Sequence, residues 1–293
     1  MKLSSYTMPC CLHLLTGLFA AVFAAVLPGG ALDAKELVYE GFQMGEDQPD
    51  CRSGWTIPWG VFDGEAIIVD QDLEFEGLSS THGLLQLKRD TVSVCQMGDF
   101  DGSVFYGSFR IQCDNLTNDA LIGFAICEPD VTAVRPETSR MSLLVKGWRT
   151  EFGALAALGN KKTIVEGSRV QEGEPYLVLF KVVNSGEQHG SLTMWMLSRE
   201  QVSHLSEGGL SEDQLNRIPL GGQAGQLSQR MTTEIAPGKK PVFGSGLIFC
   251  LISRYNSGAQ VDEIRVSDIS LAEAAGLKES AVKATHRIPY ISK

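Results

Sequence analysis

PYLVLFKVVN, Pro175 to Asn184, and GSLTMWMLS, Gly190 to Ser198, decide the fold. These two apolar runs of strand length flank SGEQH, a polar connection that suits a hairpin loop. In the second run Leu192, Met194 and Met196 share one face and Thr193, Trp195 and Leu197 the other, because side chains alternate along a strand. Both faces are largely apolar. The strand is therefore expected in the middle of a sheet, covered on one side by a second sheet and on the other by a loop or another chain.

The same alternation extends in both directions. SVFYGSFRIQ puts Phe105, Phe109 and Ile111 on one face with Gly107, and Val104, Tyr106, Ser108 and Arg110 on the other. LIGFAIC (121–127), MSLLVKG (141–147) and FGALAAL (152–158) follow, and VFGSGLIFCLISR (242–254) and VDEIRVSDISL (261–271) close the pattern. Gly, Asn, Asp and Ser clusters interrupt these runs every ten residues or so. The fold class is all-β, a two-sheet antiparallel β-sandwich. Residues 199–240 break the rhythm with polar, Gly-rich sequence. There SEDQLNR predicts one short helix capped by Ser211, within a connection that crosses between sheets. From Ala272 the chain offers little apolar surface, so a short helix giving way to a disordered tail over 273–293 is expected. There is no internal repeat, and no Pro/Ser/Thr-rich linker separates two domains.

Composition excludes several classes of function. The chain has 293 residues, 25 Lys+Arg against 35 Asp+Glu, a net charge of -10 and 43% hydrophobic residues. That is too apolar for a disordered chain and too acidic for a nucleic-acid binder. Lys2 precedes an apolar stretch from Leu12 to Leu27, which ends at Pro28 and GGALDAK. This pattern predicts a secretory signal over 1–34, removed after Ala31 or Ala34, so the protein is exported and its mature chain carries no membrane span; a retained anchor is the alternative. Seven cysteines less Cys10 and Cys11 leave Cys51, Cys95, Cys113, Cys127 and Cys250 in the mature chain. Export permits disulfides, but an odd number leaves one thiol over and the pairing open. Cys127 and Cys250, inside apolar runs, equally suit buried thiols.

The order of several stretches resembles the LamG-like jelly roll of the concanavalin A-like superfamily, in its exported bacterial form. ELVYEGF (36–42) resembles the opening strand, GWTIPWG (54–60) a paired-Trp loop, and LEFEGLSSTHG (73–83) the stretch after the second strand. VFYGSFRIQ resembles the first long core strand, KGWRTEFGAL (146–155) the central hairpin, YLVLFKVVN with LTMWML the back-sheet pair, and VDEIRVSDI (261–269) the closing strand. The likeness spans residues 35–272. It implies a jelly-roll sandwich and a superfamily of lectins, adhesion modules, glycoside hydrolases and lyases, so fold alone does not choose the function. The chain ends in HRIPYISK, without the apolar sorting segment of many such exported proteins, which implies release or periplasmic retention over anchoring.

Three constellations can carry chemistry. In DLEFE, Asp72, Glu74 and Glu76 alternate with Leu73 and Phe75 and, on a strand, project three carboxylates about 7 Å apart, a spacing compatible with glycoside hydrolysis. Their order differs from the Glu, Asp, Glu of hydrolases on this fold, and a solvated strand face explains them equally. Trp55 and Trp59, in a Gly/Pro-flanked loop, can stack on sugar rings; Trp148, Trp195 and Tyr106 are weaker candidates. Asp99 and Asp101 in GDFDGS can supply oxygen ligands to calcium, the one cofactor suggested, although a turn needs the same residues. His82, His189, His204 and His286 have no partner at triad or metal spacing. The reading is an exported, non-catalytic binding or structural module. Its partner would be a polysaccharide or a cell-surface protein, with a polysaccharide-degrading enzyme as the alternative.

Overall fold

The hairpin at 175–198 forms as its alternation requires, and the rest of the sandwich is built around it. The computed structural model describes residues 36–42, 52–53, 55–98, 102–128, 139–148, 151–158, 161–164, 170–185, 189–206, 210–217, 229–234 and 247–277. The expected signal segment, Cys51, Asp99, Asp101 and residues 278–293 lie outside them.

The strands are β1 (Glu36–Glu40), β2 (Arg52–Ser53), β3 (Trp55–Asp63), β4 (Ala66–Val69), β5 (Leu84–Leu87), β6 (Val92–Met97), β7 (Val104–Asp114) and β8 (Leu121–Cys127). They continue with β9 (Met141–Trp148), β10 (Glu151–Leu158), β11 (Lys161–Ile164), β12 (Pro175–Ser185), β13 (His189–Ser198), β14 (Gln229–Glu234), β15 (Ile248–Arg254) and β16 (Gly258–Ser267). One sheet has the order β14-β13-β12-β7-β16-β1-β2, with β5 also on β16 and β4 on β5; the other runs β11-β10-β9-β8-β15-β6-β3. The strands pair antiparallel throughout, so the expected two-sheet antiparallel sandwich of jelly-roll type is the fold.

The core between the sheets is made by the faces that alternation selects. Phe124 of β8 lies at its centre, with ring centroids 5.7 Å from Phe109, 6.1 Å from Phe180 and 4.8 Å from Phe249. Phe180 stands opposite Gly107 in the register, and a Cβ at that glycine would collide with the Phe180 ring. The glycine makes room for the aromatic.

The second face of β12 and β13 is also buried. Leu177, Leu179, Trp195 and Leu197 lie beneath Phe75 and Leu78 and beneath apolar residues of α1 (Arg199–Ser206), α2 (Glu212–Arg217) and α3 (Leu271–Ala274). The cover expected over β13 is thus supplied by this chain itself. Among the described residues between β13 and β14 there are two short helices, where the sequence predicts one. Both begin with a capping box, in which a serine hydroxyl and a glutamine amide satisfy each other's backbone N–H. Gln214 N donates to Ser211 Oγ (3.3 Å) and Ser211 N to Gln214 Oε1 (2.9 Å); Gln201 N donates to Ser198 Oγ (3.4 Å) and Ser198 N to Gln201 Oε1 (2.9 Å). The crossing to the other sheet comes later, between β14 and β15.

Three local expectations change. GWTIPWG belongs largely to strand β3, not to a loop, because it hydrogen bonds along β6 through three register irregularities. Residues 70–83 are irregular, with a turn at Glu76 and Gly77 and an isolated bridge from Leu78 to Leu277, and form no ladder, since Phe75 and Leu78 dock on the outer sheet face instead of the backbone pairing at an edge. The segment after Ser270 docks more firmly than its composition predicts: Leu271, Ala274 and Ala275 are buried, and Ser108 Oγ donates to Ala274 O at 2.6 Å.

Candidate functional site

A bulge in β16 shapes the region around the carboxylates of DLEFE. Asp262 pairs with Arg110 and Arg265 with Ser108, so Glu263 and Ile264 together oppose one residue of β7. The extra residue, Glu263, sits at φ 52°, in the left-handed region that a non-glycine residue rarely enters. Val261 and Ile264 both face the core as a result, while Asp262 and Glu263 turn toward a polar cluster.

Arg110, almost fully buried, is the centre of that cluster. Its Nη1 donates to Leu73 O (3.2 Å) and lies 3.5 Å from Asp72 Oδ1 and 3.8 Å from Asp262 Oδ2, and its Nη2 donates to Ser79 O. Leu73 N donates to Asp262 Oδ2 (3.1 Å), and Ser80 Oγ donates to Asp72. Alongside, Glu263 Oε1 accepts from Thr81 N (2.5 Å), Thr81 Oγ1 (2.9 Å) and Tyr39 Oη (3.3 Å), and Arg265 donates to Glu263 Oε2 (2.8 Å) while stacking over the Tyr39 ring. The cluster holds two guanidinium groups and three carboxyls. A buried assembly is stable near neutrality, so one carboxyl keeps its proton. That carboxyl is Asp262: burial first, then its hydrogen bond with Asp72 and the charge of Glu263, push it up to about 9, against the pull of Arg110.

This arrangement splits the three carboxylates that the sequence places in one row. Asp72 is tied to Arg110, Asp262 and Ser80 and fastens residues 70–83 to the sheet. Glu74 and Glu76 are exposed, and Leu73 and Phe75 between them are buried. Trp59 is partly buried at the rim of the core, its ring centroid 5.9 Å from that of Phe42. The Trp55 and Trp148 side chains lie outside the described residues, and Trp195 is buried, with Nε1 donating to Asn216 Oδ1 at 3.4 Å. His82 is exposed. Among the described residues no group of three or more His, Cys, Asp or Glu side chains is placed to hold a metal ion, and no helix is long and apolar enough to cross a membrane.

The open site lies elsewhere, at the end of the sandwich where four connections meet. A cleft of about 660 Å³ is lined by Gly64, Glu65, Gln86, Leu87, Lys88, Arg89, Asp114, Asn115 and Gly258. Lys88 Nζ donates to Gln86 Oε1 (2.7 Å) and Gln260 Nε2 to Asp114 Oδ2 (3.4 Å). The neighbouring turn, Arg254 to Ser257, is tied to three other segments. Arg254 pairs with Asp63 (2.8 Å), Asn256 N donates to Asp90 Oδ1 (3.1 Å), and Thr117 Oγ1 donates to Tyr255 O (2.8 Å). Tyr255 and Asn256, in the turn that carries the chain from β15 in one sheet to β16 in the other, occupy φ 63° and 62°, in the left-handed region where a tyrosine is an unfavourable choice. Its ring is 54% exposed, and Phe62, adjacent to Asp63, is 58% exposed. The strained turn thus presents an exposed side chain close in sequence to Gly258, which lines the cleft. The sequence signal for it is RYNSG at 254–258, a turn motif with an aromatic where Asn or Gly is usual.

No family model matches the chain, and no curated protein matches it. Among solved structures it is similar in fold to an endo-beta-1,4-glucuronan lyase from the fungus Trichoderma reesei, at 8% identity over 80% of this chain and 95% of that one, with a TM-score of 0.42. The globular domain of T. cruzi calreticulin is similar at 11% identity over 77% and 89% of the two chains, with a TM-score of 0.41. The Emp46p carbohydrate recognition domain is similar at 9% identity over 69% and 88% of the two chains, with a TM-score of 0.36. Likenesses of this size leave the site and its chemistry to be read from this chain's own residues.

Proposed function

We propose that the protein is an exported, non-catalytic binding module of LamG-like type that holds a carbohydrate polymer at the loop end of its sandwich. The observation that carries this reading is the cleft beside Tyr255. Sugars are recognised by donors and acceptors at the ring edge and an aromatic plane on the ring face. Lys88, Arg89 and Asn115 offer donors, Glu65, Asp114 and Gln86 offer acceptors, and Phe62 and Tyr255 are exposed at the same end of the sandwich. An open cleft suits the side of a long chain, which an enclosed pocket would not admit. The test is polysaccharide pull-down and glycan-array binding with the mature chain. Binding should be lost in Tyr255→Ala and Arg89→Ala and retained in Trp59→Ala, whose ring packs on the core. No binding to any polymer removes the carbohydrate reading. Release of reducing sugar that stops in Glu74→Gln or Glu76→Gln would replace it with hydrolysis at the exposed carboxylates. Calcium at Asp99 and Asp101 belongs to the same proposal, and chelation should lower the melting temperature if the ion is held there.

A further inference from the structure

Two thiols meet on the outer face of the second sheet. In the register of β15 with β8, Cys127 stands opposite Ile248 and Cys250 opposite Ala125. The two cysteines are therefore diagonal neighbours on adjacent strands. Both side chains belong to the buried cluster of Val92, Leu121, Ala125, Leu144 and Ile252, on the side of the sheet away from the main core. Both are free thiols in the structure, and a side-chain hydrogen bond between them, together with burial, pushes the Cys250 thiol up. Cys95 of β6 and Cys113 of β7 face the other way, into the core between the sheets. Diagonal partners on a flat antiparallel pair are about 7 Å apart, the limit for a bridge, and the twist of a sheet shortens one of the two diagonals. The shared buried cluster and the side-chain hydrogen bond place Cys127 and Cys250 on the short one.

We infer that Cys127 and Cys250 form the native disulfide of this protein. The oxidant is a disulfide, either of low molecular weight or carried by a protein. One cysteine thiolate attacks it, forms a mixed disulfide and releases one thiolate. The second cysteine thiolate then displaces the remaining half, so that two thiols become one disulfide, two protons are lost and two electrons reduce the oxidant to two thiols. Because both thiols are buried in the folded chain, exchange takes place while the strands assemble and is slow afterwards. The bridge ties β8 to β15 across a loop of about 120 residues, a long closure and hence a large restriction on the unfolded chain.

The experiment refolds the full chain from denaturant in reduced and oxidised glutathione, alkylates remaining thiols and maps the peptides by mass spectrometry. A linked peptide containing Cys127 and Cys250 is expected. Reduction should lower Tm by about 10 °C, and the Cys127→Ala/Cys250→Ala variant should melt alike with and without reductant. Oxidised glutathione added to the folded, reduced chain should produce the linked peptide much more slowly. Alkylation of both residues, or linkage of either to another cysteine, overturns the inference. In Cys127→Ser the Cys250 thiol should be alkylated; a peptide still linked through Cys250 would equally overturn it.

Discussion

Asp262 Oδ2 lies 3.8 Å from Arg110 Nη1, yet the carboxyl of Asp262 retains a proton that an exposed aspartate would lose. Burial and the neighbouring Asp72 outweigh the guanidinium, because Arg110 already balances Asp72 and donates to two backbone carbonyls.

The consequence is a stability that falls as the pH rises. Below about pH 4 Asp262 is protonated in both the folded and the unfolded chain. Between about 4 and about 9 the unfolded carboxyl is ionised while the folded one binds a proton, so this group's contribution declines by about 1.4 kcal/mol per pH unit and then levels. Urea titrations from pH 5 to pH 9 should show this decline. Asp262→Asn, neutral throughout, should flatten it; an unchanged slope in the variant would place the titration elsewhere.

Removing Arg110 should be costly. Arg110→Met leaves the Asp72 carboxylate and the carbonyls of Leu73 and Ser79 without the guanidinium, a loss of about 3–5 kcal/mol by denaturant unfolding. Arg110→Lys keeps the charge but cannot reach both carbonyls, and should fall between the two. Limited proteolysis of Arg110→Met should open first within residues 70–83, the segment this cluster fastens.

Tyr255 separates structural from functional roles. Glycine suits a φ of 63° better than tyrosine does, so Tyr255→Gly should leave the protein as stable or raise its stability by about 1 kcal/mol. The same substitution removes the exposed ring and should weaken polysaccharide binding at least tenfold. A thermal melt and a binding isotherm on one sample test both halves. A large loss of stability would instead assign the ring to packing.

Gly107→Ala should destabilise by about 1–3 kcal/mol, since the new methyl meets the Phe180 ring in the filled core. Adding Phe180→Leu should recover part of that loss in a double-mutant cycle, as coupling between contacting residues requires.

Much of the sandwich was legible because strand formation leaves a local mark. The period-two patterns of SVFYGSFRIQ, LIGFAIC and the 175–198 hairpin place β7, β8, β12 and β13 within a residue or two of their observed ends. Less was legible where pattern and environment part. VDEIRV breaks the alternation by one residue, a sign of the bulge at Glu263, but nothing local says that Asp262 meets Arg110 of β7 while Glu263 meets Thr81 and Arg265. DLEFE alternates like a strand and is none, because its apolar residues find a sheet face before its backbone finds an edge. REQVSHLS carries a capping-box signal at Ser198 and Gln201, obscured by its polar, Gly-rich surroundings.

The candidate site was the least legible part. Glu65, Arg89, Asn115 and Tyr255 come from four connections separated by up to about 190 residues, each of which reads alone as an ordinary turn, and Phe62 comes from the end of β3. By itself the amino-acid order determined which segments extend, which faces of β7 and β13 are apolar, and where the chain turns, since these follow from side-chain period and turn chemistry within a few neighbouring residues. Tertiary structure alone decided that helices of the same chain cover β13, that Asp72 belongs to a buried ion cluster, and that four turns border one open cleft. Those outcomes depend on which strands pair and in what register, and that choice is made by the packing of residues far apart in the chain.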